Sequence, residues 1–344
     1  MNLADLNKVA LALVAPGKGI LAADESSGTI KKRFDAINVA STEEARRDYR
    51  EMLFRSSEAM SQHISGVILF DETIWQDAKD GTPLIKIIEQ SGAIPGIKVD
   101  EGTQGLPNCP GELVTVGLDK LAERLKKYYD RGARFAKWRA VIDIDRDHIP
   151  TMTAIDVNAH ALARYAALCQ AARIVPIVEP EVLMDGDHDI DRCYDVSKRV
   201  LNKTFQELRV QRVALEGMIL KPNMVVPGKK STRQAASAEE VAEKTVRLLK
   251  NCVPAAVPGI AFLSGGQSDQ EATAHLNAIN RIGELPWRLT FSYGRALQAA
   301  PQKAWSGKAE NVAAGQRAFS HRARMNALAS RGEWEADLET KKAA

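Results

Sequence analysis

The stretch LEGMILKPNMVV, Leu215–Val226, decides how the chain is read. An apolar run climbs to Lys221, and Pro222 stops it at once. Proline has no N–H to give to a sheet ladder, so the run reads as a buried strand that ends at the lysine. The Lys221 amine then stands at the strand's end, facing a pocket rather than bulk water. Partial desolvation and nearby positive charge both disfavour an ammonium ion, so a lysine placed this way can be neutral often enough to attack a ketone. A single lysine at a strand end is ordinarily a solvated charge. The reading therefore turns on whether other strands end the same way.

Apolar, β-branched runs recur along the chain: GILAAD (19–24), ISGVILFD (64–71), IPGIKVD (94–100), ARFAKWRAVID (133–143), IVPIVEP (174–180), LEGMILKP (215–222), GIAFLSGG (259–266) and WRLTFSYG (287–294). Their centres lie about 27 to 46 residues apart, room for a crossover helix each time. The segments between them read as helices. GLDKLAERLKKYYDRG puts Leu118, Leu121, Leu125 and Tyr128 on one face. Two others open with capping boxes, Ser237 with Glu240 and Ser268 with Glu271. Eight strands alternating with helices predict an α/β fold of the (β/α)8 TIM-barrel type. A doubly wound open sheet is the alternative, but no GxGxxG follows the first strand to support a nucleotide-binding version. We expect one barrel domain over residues 1–332, with an N-terminal helix and a C-terminal helical region, and a polar, mobile tail over 333–344. The stretch PGKKSTRQAAS (227–237) is also expected to be mobile.

With 344 residues, 45% of them hydrophobic, the chain can bury a sizeable core. Its 47 basic and 44 acidic side chains leave a net charge of +3, so nothing in the bulk electrostatics points to nucleic acid or membrane. The N-terminal apolar run is too short to span a bilayer, and Asp5 and Lys8 break a signal-peptide pattern. Cys109, Cys169, Cys193 and Cys252 are far apart and form no paired metal motif; they read as reduced thiols of a cytoplasmic protein.

Side chains two apart on a strand share a face. Lys98 and Asp100, Lys137 and Arg139, and Glu179 and Glu181 are such pairs, while Asp24 ends the first run and Lys221 the sixth. Charges are costly against apolar helices, so these faces are expected to converge on the barrel mouth. Internal salt bridges that merely tie the barrel together are the competing reading. The seventh and eighth runs end in LSGGQS (263–268) and FSYGR (291–295). Ser264, Gly265 and Gly266 offer backbone N–H groups and a hydroxyl just before a capped helix, and Arg295 follows Gly294. Barrels commonly hold a phosphate on these two loops. Lys32, Arg33, Lys98 and Arg139 are candidates for a second anion. His160, His188 and His275 are not at metal-ligand spacing with a third donor, and the DGDHDID turn reads as hydrated carboxylates, so no metal and no cofactor are expected.

Taken together, GKGILAADES, IKVD, FAKWR, IVPIVEPE, ILKPNMV, LSGGQS and SYGRALQ closely resemble class I fructose-1,6-bisphosphate aldolases, from about Val14 to Gly332. The resemblance implies a (β/α)8 barrel that cleaves fructose 1,6-bisphosphate reversibly to dihydroxyacetone phosphate and glyceraldehyde 3-phosphate. It implies glycolytic or gluconeogenic work in the cytoplasm on sugar phosphates, without metal, as a homotetramer. It makes Lys221 the Schiff-base lysine and Glu179 the principal general acid/base. Asp24 becomes the carboxylate, and Lys137 the ammonium, assisting carbon–carbon cleavage. Ser264, Gly265, Gly266, Ser292, Gly294 and Arg295 match the family's site for one phosphate. Ser26, Thr29, Lys98, Arg139 and the Lys32–Arg33 pair match positions around the other. Two departures stand out: Thr29 replaces a frequent serine, and the chain reads DLETKKAA where many members carry a terminal tyrosine. Another Schiff-base barrel, such as a transaldolase or deoxysugar aldolase, is the enzymatic alternative, but it needs no second anion site. A non-catalytic barrel scaffold is the other; loss of Lys221, Glu179 or Asp24 would favour it, and all three are present.

Overall fold

In the computed structural model, which describes residues 2–145, 147–232 and 236–340, the predicted runs form eight parallel strands. They are β1 (Gly19–Ala23), β2 (Ile64–Leu69), β3 (Ile94–Lys98), β4 (Phe135–Ile142), β5 (Val175–Val182), β6 (Ile219–Leu220), β7 (Gly259–Phe262) and β8 (Arg288–Tyr293). Each pairs with its neighbours in chain order, and β1 closes on β8 through Ile20↔Ser292. The predicted (β/α)8 barrel is what forms.

The barrel interior is layered by the two-residue period of its strands. Ile20, Ala22, Ile68, Phe135, Val175, Ile177, Ile219 and Ala261 fill the lower half in one apolar cluster. The N-terminal helix Leu3–Leu13 plugs that end with Leu6, Ala10 and Leu13. Two residues further up, the same inward faces turn charged: Asp24 after Ala22, Lys137 after Phe135, Glu179 after Ile177, Lys221 after Ile219. The alternate, outward residues, such as Leu21, Ala136 and Val178, join the larger core under the helices.

β6 is shorter than the run LEGMILKP suggested. Leu215–Gly217 is a 3-10 turn and only Ile219–Leu220 is strand. Gln170 holds that turn, donating to Ala214 O at 2.7 Å and Gly217 O at 3.2 Å. Ladder bonding still reaches Lys221, whose N–H donates to Val178 O at 2.8 Å. After β3 comes an antiparallel hairpin, Thr103–Gly105 with Leu113–Thr115, that the apolar pattern did not announce.

Ser268 and Glu271 form the full reciprocal capping box of the helix Asp269–Arg281. At Ser237 the hydroxyl caps Glu240 N at 3.2 Å. The polar tail makes specific contacts where it is described. Trp334 N donates to Asn277 Oδ1 at 2.9 Å, and Glu339 pairs with buried Arg322. Residues 341–344, and 233–235 of the second stretch expected to be mobile, lie outside the described residues.

Candidate active site

The strand tops surround a cavity of about 540 Å³. Its floor is a chain of alternating charges. Lys221 Nζ stands 3.0 Å from Glu179 Oε1; Lys137 Nζ stands 3.4 Å from Glu179 Oε2 and 2.7 Å from Asp24 Oδ2. The side chains of Lys137, Lys221 and Glu179 are about 5% exposed or less, and that of Asp24 is 12% exposed. Neutralisation by neighbours is what allows such burial.

β-register explains the convergence. Lys98 lies opposite Lys137, and Arg139 opposite Glu179, on adjacent parallel strands. The two residues after Lys221 fix its direction. Pro222 ends the ladder, and Asn223 takes over by accepting from Val182 N at 3.0 Å and donating to Ser197 Oγ at 3.3 Å. The Lys-Pro-Asn sequence thus stitches the exit of β6 to the top of β5 and leaves the lysine side chain pointing inward.

Burial is the largest influence on the Asp24 carboxyl and pushes its pKa up, but Lys137 first, then Lys221 and Lys98, bring it down to about 2. For Lys137 burial again ranks first and works against the ammonium; Asp24, Glu179 and Asp100 outweigh it and raise the pKa well above the usual lysine range. Glu179 is held below the ordinary carboxylate range: burial opposes this, and Lys137, Lys221 and Arg139 overcome it. The floor therefore holds two carboxylates and the Lys137 ammonium in their charged forms at neutral pH.

The turn after β7 and the start of the helix after β8 form one wall. Ser264, Gly265 and Gly266 line it with Ser292, Gly294 and Arg295. Ser292 Oγ is buried and has no hydrogen-bond partner among the described residues, an orphan acceptor–donor pointing to a polar ligand. Arg295 is exposed and, among the described residues, makes no ion pair.

Ser26, Thr29, Arg33, Lys98 and Arg139 also reach the cavity. Ser26 caps the helix Ser27–Asp35, accepting from Thr29 N at 3.3 Å. Arg33 pairs with Glu25, and its Nη2 lies 3.8 Å from where a Cβ on Gly294 would stand. It therefore borders the Gly294–Arg295 wall, whereas the sequence placed it with the opposite anion. Lys32 is not brought in: on the helix Ser27–Asp35 it is exposed and outside the cavity lining. The helical period turns only one of the two adjacent residues inward.

Sequence reasoning missed several lining residues. Glu25 is buried and also accepts from Gln298 Nε2 at 2.7 Å; its neighbour Asp24 drew attention because it ends the apolar run. Glu181 was seen as a same-face partner of Glu179, and it pairs with Arg139. Met184, Asp185 and Lys229 come from loops with no periodic pattern to mark them.

The comparisons agree with this geometry. Residues 5–344 match the family model for fructose-bisphosphate aldolase class-I. A probable fructose-bisphosphate aldolase class 1 from Xanthomonas campestris pv. campestris is 56% identical over 97% of this chain and 99% of its own. Fructose-bisphosphate aldolase 1 of Toxoplasma gondii is 54% identical over 96% of this chain and 91% of its own. The solved fructose-bisphosphate aldolase of Plasmodium falciparum superposes with a TM-score of 0.95 at 49% identity, covering 97% of this chain and 96% of that one. The chain belongs to the glycolytic class I fructose-bisphosphate aldolase family.

Proposed function

We propose that the lyase reaction of this aldolase runs through an imine on Lys221, with Glu179 moving the protons. Cleaving the bond beside a ketone requires a place for two electrons. A protonated imine at Lys221 is a far better sink than the ketone. Lys221 Nζ attacks the ketone carbon; Glu179, 3.0 Å away, carries two protons in turn from the lysine nitrogen to the ketone oxygen, one as the carbinolamine forms and one as water leaves. The electron pair of the breaking carbon–carbon bond then enters the imine, giving an enamine. The proton of the adjacent hydroxyl passes to Asp24, and the Lys137 ammonium between Asp24 and Glu179 steadies the charge as it moves. Aldehyde leaves first; protonation of the enamine and hydrolysis of the imine release dihydroxyacetone phosphate.

The Ser264–Gly266 turn with Ser292, Gly294 and Arg295 would hold one phosphate. Ser26, Thr29, Lys98 and Arg139 would hold the other, so that remote binding energy positions the reacting carbons. The observation that carries this reading is the 3.0 Å contact between Lys221 and Glu179 on the floor of a cavity walled by cations and a glycine turn. We also propose that the chain works as a homotetramer, the assembly the family resemblance implies. An Arabidopsis thaliana relative, 53% identical, is described as cytosolic, which supports a cytoplasmic place, and among the described residues no helix is long and apolar enough to cross a membrane.

Borohydride trapping tests the roles. With dihydroxyacetone phosphate it is expected to leave a reduced three-carbon phosphate adduct on Lys221, read by peptide mass spectrometry. Lys221→Met should fold, bind the bisphosphate and fail to cleave it. An adduct on Lys137 or Lys98 would overturn the assignment.

A further inference from the structure

Lys229 has no part in the steps above, yet it lines the same cavity as Ser264, Gly265, Gly266 and Arg295. Its backbone is anchored. Lys229 N donates to Met184 O at 2.8 Å, Lys230 N to Gly186 O at 3.0 Å, and Gly228 N to His188 O at 2.9 Å, so the segment 228–230 is laced to 184–188. Its stem crosses the glycine turn: a Cβ added to Gly266 would stand 2.7 Å from Lys229 Cε. Gly266 has φ +70°, a conformation L side chains rarely adopt, so both backbone and space reserve this position for glycine.

The ammonium group, by contrast, is loosely held. Lys229 Nζ stands 2.9 Å from Asp185 Oδ1, with the two side chains 44% and 62% exposed. The paired carboxylates elsewhere around the cavity, Asp24, Glu25, Glu179 and Glu181, are at most 12% exposed. An ion pair open to water competes weakly against a phosphate dianion held by backbone donors and an arginine. A fixed base with a movable cationic tip is suited to closing over an anion once it has arrived.

We propose that Lys229 is a further substrate-binding residue: its ammonium leaves Asp185 and joins Arg295 on the phosphate seated at the Ser264–Gly266 turn. Asp185 is then a competitor of the phosphate, not a member of its site. The inference rests on the reading of that turn as a phosphate site, and it adds a cation from a loop that the strand-end pattern did not reach.

The test is the concentration of dihydroxyacetone phosphate that half-saturates borohydride trapping on Lys221, measured for Lys229→Met, Asp185→Asn and Arg295→Ala. Lys229→Met is expected to raise it about tenfold, the scale of one hydrogen bond to a charged group. Asp185→Asn is expected to lower it, because the competing carboxylate is gone. The opposite signs separate binding from a clasp between two loops: a clasp would make both variants weaken trapping in the same direction, and that result overturns the proposal. No change with Lys229→Met also overturns it, provided Arg295→Ala raises the half-saturating concentration. If Arg295→Ala itself changes nothing, the phosphate assignment of the turn fails, and the role of Lys229 falls with it.

Discussion

At Asp24 two opposing influences are settled by distance. Burial pushes the carboxyl pKa up, while Lys137 at 2.7 Å and the more remote Lys221 and Lys98 bring it down to about 2 from an ordinary 3.8. A folded-state value below the unfolded one means that stability from this ionisation is present above the unfolded value and is lost as pH falls through the folded one. The difference corresponds to about 2 kcal/mol. Between about pH 5 and pH 2, urea unfolding of the parent chain is expected to lose about 2 kcal/mol more than that of Asp24→Asn. Parallel losses in the two proteins would mean that Asp24 is not stabilised as an anion by Lys137. Arg295 offers a second test at this scale. Without a carboxylate partner among the described residues, it can give its full hydrogen-bonding capacity to a phosphate. Arg295→Ala is expected to weaken dihydroxyacetone phosphate binding by about 1.5–3 kcal/mol, measured by trapping saturation. Because Arg33 borders Gly294, Arg33→Ala should weaken both the three-carbon phosphate and the bisphosphate. A loss confined to the bisphosphate would move Arg33 back to the opposite anion site.

Among the elements, β3 shows how barrel geometry depends on what a strand lacks. A Cβ at Gly96 would stand 2.3 Å from the ring of Phe135 on β4, and one at Gly66 on β2 would stand 2.7 Å from Leu13. These glycines make room on the inward face for one large ring and for the helix that plugs the barrel. Gly96→Ala is expected to cost about 1–3 kcal/mol by overpacking, read from the urea midpoint, and Phe135→Leu in the same chain should recover part of it. A neutral Gly96→Ala would show that the ring shifts freely. The charged layer was legible in the sequence because one local rule governs it: an inward apolar residue followed two places later by an ionisable one, as in Ile219–Lys221 or Ile177–Glu179. The glycine–phenylalanine fit was not legible, because its partners are about forty residues apart and no periodicity links them. β6 was overread for a related reason. Its apolar run satisfies two different demands, a two-residue strand and a turn that rests on Leu6 and Gln170.

Across the whole molecule, the polar segment after Gly332 is joined to the interior by a buried ion pair. Its sequence reads as solvated, but the fold contains a buried cation that needs a partner. Arg322, on the C-terminal helix Val312–Ala329, is 4% exposed and donates to Asp269 O at 3.1 Å and Thr273 Oγ1 at 2.6 Å. Those acceptors lie at the start of the helix Asp269–Arg281, which directly follows the Ser264–Gly266 turn. Glu339 supplies the counter-charge, and it also accepts from Trp334 Nε1 at 3.1 Å and pairs with His321 at 3.3 Å. Burial pushes the Glu339 carboxyl up, but the bond and charge of Arg322 outweigh it and hold it below the ordinary range. Removing one member of a buried pair leaves the other uncompensated, which typically costs about 3–5 kcal/mol, whereas replacing both with apolar groups is often neutral. Glu339→Gln is therefore expected to lower unfolding stability by about 3 kcal/mol, with faster hydrogen exchange in the first turns of Asp269–Arg281. The double variant Glu339→Gln/Arg322→Met should recover most of that loss. A change below about 1 kcal/mol in the single variant would place the pair among weak surface contacts. A double variant as unstable as the single one would show that the hydrogen bonds of Arg322 to Asp269 and Thr273, which join the helix Val312–Ala329 to the start of Asp269–Arg281, matter more than its charge pairing with Glu339.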